Sequence, residues 1–159
     1  MRSNNKKPLG LVVLFLSFAA HAQFADPNAK IEEPVKWSFR SEKVSSTEYD
    51  LVITANIEKG WHVYSQFIED GGPIPTSFKF TSSTDYNLKG KVSEMPKAEV
   101  AFDKNFDMQI AWHKDKVDFR QRIVLSAPKT VVSGVLEFMV CNDQKCLPPT
   151  EVEFKIPVS

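Results

Sequence analysis

Two alternating runs constrain this chain most, and they flank its only two cysteines. In Val135 to Val140 the residues Leu136, Phe138 and Val140 fall on one side and Glu137 on the other. In Glu151 to Ile156 the residues Val152, Phe154 and Ile156 oppose Glu151, Glu153 and Lys155. A period of two marks half-buried strands, and two such strands joined by a short polar loop form a hairpin. Cys141 and Cys146 stand at the two ends of that loop. Paired antiparallel residues lie about 4.5–5.5 Å apart between Cα atoms. A disulfide needs about 4.4–6.8 Å, so a bridge between the two cysteines is geometrically natural.

The same alternation recurs upstream. Val35, Trp37 and Phe39 share a face in a short first strand ending at Arg40, followed by a polar turn over Ser41 to Thr47. Leu51, Ile53, Ala55 and Ile57 share a face in the next strand, which Glu58-Lys59-Gly60 ends in a tight turn. Further strands are expected from Trp61, over Thr76 to Phe80, and in a short piece within Asp85 to Lys91. Gly71, Gly72, Pro73 and Pro75 demand a loop between the first two of these. Met95 to Phe106 reads as a long loop with anchor residues, and Phe106 to His113 with Lys116 to Leu125 as a hairpin. No segment carries a sustained helical apolar period. Eight or nine strands at turn-separated spacing imply an all-β, immunoglobulin-like antiparallel β-sandwich.

The first 22 residues are expected to lie outside that fold. Arg2, Lys6 and Lys7 precede an uncharged apolar run, Leu9 to Ala20, and Ala20-His21-Ala22 offers a cleavage site after Ala22. This is the pattern of a secretory signal, and about twelve apolar residues fall short of the roughly 20 that span a bilayer. The mature chain is therefore expected to be exported, with no membrane insertion. Residues 23–34 read as a mobile leader and 35–157 as one domain. Loss of the signal removes three basic and no acidic groups, leaving 17 basic against 20 acidic, so nucleic acid is not an expected partner. An oxidising compartment permits the two cysteines to pair.

Residue chemistry leaves the role of that pair open between a staple and a redox centre. A six-residue closure restricts the unfolded chain by only about 2 kcal/mol, and strand pairing already closes the hairpin. Exchange chemistry requires access for an incoming thiolate, which a bridge in an exposed loop would provide. Lys145 favours a thiolate at Cys146, whereas Asp143 opposes one at Cys141. A copper site fails on ligand count, because neither His nor Met follows Cys146. His62 and His113 have no ligand spacing and are assigned no role, as packed or strand-surface residues. No nucleophile elbow or phosphate-cradling loop occurs.

The run Phe138-Met139-Val140-Cys141-Asn142-Asp143-Gln144-Lys145-Cys146-Leu147-Pro148-Pro149 resembles the active-site segment of the DsbD N-terminal domain family. These are domains of the thiol:disulfide interchange reductases of the bacterial envelope. The shared pattern is an apolar strand, two cysteines around a short polar insert, one apolar residue and Pro-Pro. Gly60-Trp61-His62-Val63-Tyr64-Ser65-Gln66 is similar to the family's Gly-aromatic-x-x-Tyr strand. The resemblance implies an immunoglobulin-like sandwich whose cysteines pass electrons from a thioredoxin-like donor to oxidised periplasmic proteins, without metal or organic cofactor. It implies Cys146 as the attacking thiol and Cys141 as the resolving one. It also implies a cap loop over the cysteines, at Asp103-Lys104-Asn105-Phe106, with Phe106 as the shielding aromatic. The insert has four residues where the best-known members have five. No C-x-x-C is present, so the reductant is expected to be a separate protein. The rival reading is a non-catalytic immunoglobulin-like interaction module with a structural hairpin disulfide.

Overall fold

The computed structural model describes residues 32–159. The expected signal segment and most of the expected leader lie outside them. Eleven strands and no helix occur among the described residues: β1 (Val35–Lys43), β2 (Glu48–Ile57), β3 (Trp61–Tyr64), β4 (Ser77–Phe80), β5 (Tyr86–Met95), β6 (Glu99–Asp103), β7 (Met108–His113), β8 (Lys116–Leu125), β9 (Thr130–Phe138), β10 (Val140–Asn142) and β11 (Thr150–Val158). All the strand pairings are antiparallel, giving sheets ordered β1-β2-β8-β5, β10-β3-β7-β6 and β11-β9-β4. The expected all-β, immunoglobulin-like sandwich is the observed class.

The main core takes one face of each sheet. Leu51, Ile53 and Ala55 of β2 meet Val117, Phe119 and Ile123 of β8, together with Val132, Leu136, Phe138, Phe154 and Ile156 from the cysteine-bearing hairpin. Trp37 lies against Phe138 and Phe119 at ring separations of 5.1 and 6.0 Å. Each such fully buried aliphatic or phenyl group stabilises the fold by about 1.5–3 kcal/mol. Val52 is also fully buried, although it points to the opposite face of β2. Its register neighbours are Arg40 and Arg120, and the alkyl stems of such side chains cover apolar neighbours while their charged ends stay in water.

Gly134 is a packing requirement. It stands between Phe80 and Phe154 in register, and a Cβ there would come within 2.4 Å of both the Lys79 carbonyl oxygen and the Phe154 ring.

Three expectations are corrected. The segment Met95 to Phe106 is not one long loop, because it contains the end of β5 and all of β6. β6 escapes detection because its pattern is inverted: Val100 and Phe102 point outward while Ala101 and Asp103 turn inward. β7 and β8 are not a hairpin. The two residues between them, Lys114 and Asp115, carry the chain from one sheet to another, where β7 pairs with β3 and β6, and β8 with β2 and β5. The strands number eleven, not eight or nine, with β1 and β5 longer than expected.

The sheet β10-β3-β7-β6 is buried on both faces near its β10 side. Val63 and Val140 enter the main core, whereas Tyr64 and Cys141 point the other way into a smaller cluster with Ile110. Alternation along β3 and β10 therefore sets the cysteines on a second, separate core.

Candidate functional site

The hairpin β9–β11 stays paired as far as Phe138 and Thr150. At Met139 the chain changes sheet, and Val140, Cys141 and Asn142 pair with Val63, His62 and Trp61 of β3. The chain then turns back so that Cys146 faces Cys141, and the two are disulfide-bonded. The Asn142 N–H donates to the Lys145 carbonyl at 2.9 Å and the Leu147 N–H to the Val140 carbonyl at 3.0 Å. Bonds in those flanking positions make Cys141 and Cys146 a non-hydrogen-bonded pair, the type in which side chains lie closest. Their Cα atoms are 4.0 Å apart, closer than the hairpin estimate. Asn142 shapes the four-residue insert, its Oδ1 accepting from the Gln144 and Lys145 N–H groups, both at 2.9 Å. This is an Asx turn.

The two sulfurs have different surroundings. Cys141 is 0% exposed and belongs to the small core, so the expectation of an open loop fails for it. Cys146 is partly exposed at the cluster's edge, beside exposed Asp143, Gln144 and Lys145. Lys145 is ion-paired with Glu32 at 2.5 Å.

The turn between β6 and β7 lies against this pair. Phe106 is half-buried, packs on the cluster of Tyr64, Ile110 and the cysteines, and meets the Tyr64 ring edge-on at 5.9 Å. Asn105 Nδ2 donates to the Asn142 carbonyl at 3.1 Å, tying the turn to the cysteine loop. The Asn105 N–H donates to Asp103 Oδ1 at 2.8 Å. Asp103, only 1% exposed, accepts the Tyr64 hydroxyl proton at Oδ2, with His62 Nε2 at 3.3 Å from the same oxygen. Cys141, Cys146, Asp103, Asn105 and Phe106 thus form one neighbourhood.

Two members of it had no role in the sequence reading. His62 and Tyr64 alternate with Val63 on β3, which turns both towards the cysteines. The His62 ring meets Tyr64 at 5.2 Å and Trp112 at 4.0 Å between centroids. A single His in a strand carries no sequence signal. Its register partner Cys141 and its carboxylate neighbour, distant in the chain, reveal it. His113 is buried elsewhere, 2.9 Å from Glu94.

Burial shapes the charges. Burial pushes the His62 imidazole below its ordinary value, with Asp103 and Asp143 opposing in part. It pushes the Tyr64 phenol up, and the hydrogen bond to Asp103 adds to this. Burial also pushes the Asp103 carboxyl up, but hydrogen bonds from Tyr64 and the Asn105 N–H, with His62 nearby, outweigh it and hold the group below the usual carboxylate range. Asp103 is therefore a buried anion at neutral pH, held by donors. Among the described residues no three His, Cys, Asp or Glu side chains converge as a metal set.

A partly open sulfur, a buried partner sulfur and an aromatic turn over both form an arrangement that can exchange disulfides with an incoming thiol. The family model described as "Thiol:disulfide interchange protein DsbD, N-terminal" matches residues 29–157. Among solved structures, the Neisseria meningitidis DsbD N-terminal domain in the reduced form is similar at 18% identity and a TM-score of 0.52. That match covers 77% of this chain and 84% of the other. The N-terminal periplasmic domain of ScsB from Proteus mirabilis matches at 17% identity and a TM-score of 0.47, over 76% of this chain and 44% of that one. No curated protein matches the chain. The structural likeness concerns the fold; membership rests on the family model, which spans most of the sequence. The chain belongs to the DsbD N-terminal domain family.

Proposed function

We propose that this domain relays reducing equivalents by thiol–disulfide exchange through Cys141 and Cys146, between a thioredoxin-like donor and oxidised proteins of the envelope, after export behind residues 1–22. Cys146 is the attacking thiol and Cys141 the resolving one. The observation that carries this reading is the asymmetry of the pair: Cys141 is fully buried, whereas Cys146 sits at the cluster's edge. An approaching disulfide meets Cys146 first, and Cys141 is in place to close on it. Phe106 and Asn105 act as a cap that limits access by unwanted oxidants, supported by their packing and hydrogen bond onto the cysteine loop.

Single-cysteine variants test this. Cys141→Ala leaves Cys146 without its resolving partner and is expected to accumulate a mixed disulfide with an oxidised thioredoxin-like protein. Cys146→Ala is expected to trap far less. Equal trapping by both, or none by either, would favour the rival reading, in which the bridge only staples the hairpin.

A further inference from the structure

The resolving step has a chemical difficulty. Cys141 is fully buried, and burial disfavours a thiolate. Yet the thiolate is the nucleophile in exchange. A proton acceptor must therefore stand beside Cys141 and also reach water.

One side chain meets both conditions. His62 is the direct cross-strand partner of Cys141. Side chains so paired share a face, with Cβ atoms about 4.5–5.5 Å apart. Its Nε2 lies 3.3 Å from Asp103 Oδ2. A buried carboxylate there selects the tautomer with hydrogen on Nε2, leaving Nδ1 as the free base, the logic by which a carboxylate orients a catalytic imidazole. Trp112, at 4.0 Å between ring centroids, fixes the ring plane. His62 also borders a cleft of about 400 Å³, shared with Trp61, Trp112 and Lys114. His62 is thus both the register neighbour of the buried cysteine and a wall of a cavity that opens to solvent.

We propose that His62 is the base that takes the Cys141 thiol proton in the resolving step, oriented by Asp103, and exchanges it with solvent through this cleft. The proposal deepens the exchange reading above and rests on it. Reduced Cys146 first attacks the substrate disulfide, forming a Cys146–substrate bond and releasing one substrate thiolate. The Cys141 S–H proton then passes to His62 Nδ1. Cys141 sulfur attacks Cys146 Sγ, the Cys146–substrate bond breaks, and the second substrate thiolate leaves. Two electrons pass from the cysteine pair to the substrate, and the imidazolium proton goes to solvent. When the donor's thiolate reloads the pair through Cys146, the sequence reverses and His62 returns a proton to the departing Cys141. The groups facing the ring are Asp103, Tyr64 and Asp143, with Lys59, Asp115 and the ion pair Lys114–Glu99 around the cleft. Burial holds the imidazole unprotonated at pH 7, so Nδ1 is free to receive a proton.

The reduced full chain is mixed with the aromatic disulfide 5,5′-dithiobis(2-nitrobenzoate) in a stopped-flow instrument. Attack by Cys146 liberates one thionitrobenzoate and resolution by Cys141 a second, so the two steps are read separately. His62→Phe is expected to leave the first release unchanged and slow the second by about 100-fold at pH 7. Added imidazole is expected to restore much of that rate in His62→Gly, which a purely structural loss would not allow. In the unmodified chain, the second release is expected to plateau above the His62 titration. That profile tests the proposal even if a variant fails to fold. Equal second releases in variant and unmodified chain, or a rate rising with pH until the thiol itself ionises, would overturn the role of His62 while leaving exchange intact. Absence of both releases from the unmodified chain would refute the exchange reading and this proposal with it.

Discussion

Replacing Phe106 by Ala should speed attack on the disulfide about tenfold. Phe106 is half-buried against Tyr64 and the cysteines. Full burial of such a side chain is worth about 1.5–3 kcal/mol, so half-burial contributes about 0.8–1.5 kcal/mol. The Asn105–Asn142 hydrogen bond adds about 0.5–1.5 kcal/mol. A cap held by a total of about 2 kcal/mol is open for about 3% of the time, and an attacking thiol that needs the open state reacts at that fraction of its intrinsic rate. Truncation to Ala removes about 1.4 kcal/mol of the restraint, which is the tenfold gain. Asn105→Ala should give a smaller gain of about fivefold. The assay is reduction of the oxidised chain by dithiothreitol under excess reductant, quenched at intervals with a maleimide that reports free thiols. Urea unfolding of the same variants separates local opening from global loss. An unchanged reduction rate alongside lower stability would refute the cap and make Phe106 an ordinary packing residue of the β6–β7 turn.

Other consequences follow from packing and charge. Gly134→Ala forces the Phe154 ring and the Lys79 backbone apart and should destabilise the fold by about 1–3 kcal/mol in urea titration. Glu94 accepts hydrogen bonds from Ser65 and the Gln66 N–H and contacts His113 in a buried site. Glu94→Gln should therefore cost several times more than Glu42→Gln, whose exposed pairing with Arg40 and Arg120 is worth about 1 kcal/mol or less. Stability should fall in two acid windows. His62 is held below its ordinary 6.5 in the fold, so the unfolded chain binds the extra proton first and stability declines as pH drops below about 6.5. Asp103 and Glu94 are held below the carboxylate range. Their contribution is complete above about pH 4.5 and is lost as pH falls through their folded values. Thermal melts from pH 8 to 3 should show both declines, and His62→Phe should flatten only the milder one.

The sequence showed most of the core because period-two alternation reports which face of a strand is buried. Period two places Leu51 with Ile53, Leu136 with its apolar neighbours, and Phe154 with Ile156 on one face of their strands, and all five are buried. Alternation does not report which strand lies alongside. The two-residue connection between β7 and β8 therefore looked like a hairpin turn, although it joins different sheets. β6 was hidden by Asp103, whose carboxylate points inward because Tyr64 and the Asn105 N–H satisfy it. The burial of Cys141 was hidden for a related reason, since it depends on a turn more than thirty residues earlier folding over the loop. Family resemblance singles out the cysteines and the segment 103–106, which the fold brings into one neighbourhood. His62 was not, because its surroundings exist only once β3, β6 and β10 share a sheet.

The reduction potential of the Cys141–Cys146 pair tests exchange most directly. Thiol trapping of the full chain, equilibrated in graded glutathione buffers, gives the fraction oxidised at each poise. A relay should return a value between about −120 and −270 mV, within the range of proteins that exchange disulfides. A value below about −300 mV would mark a structural bridge and contradict the relay.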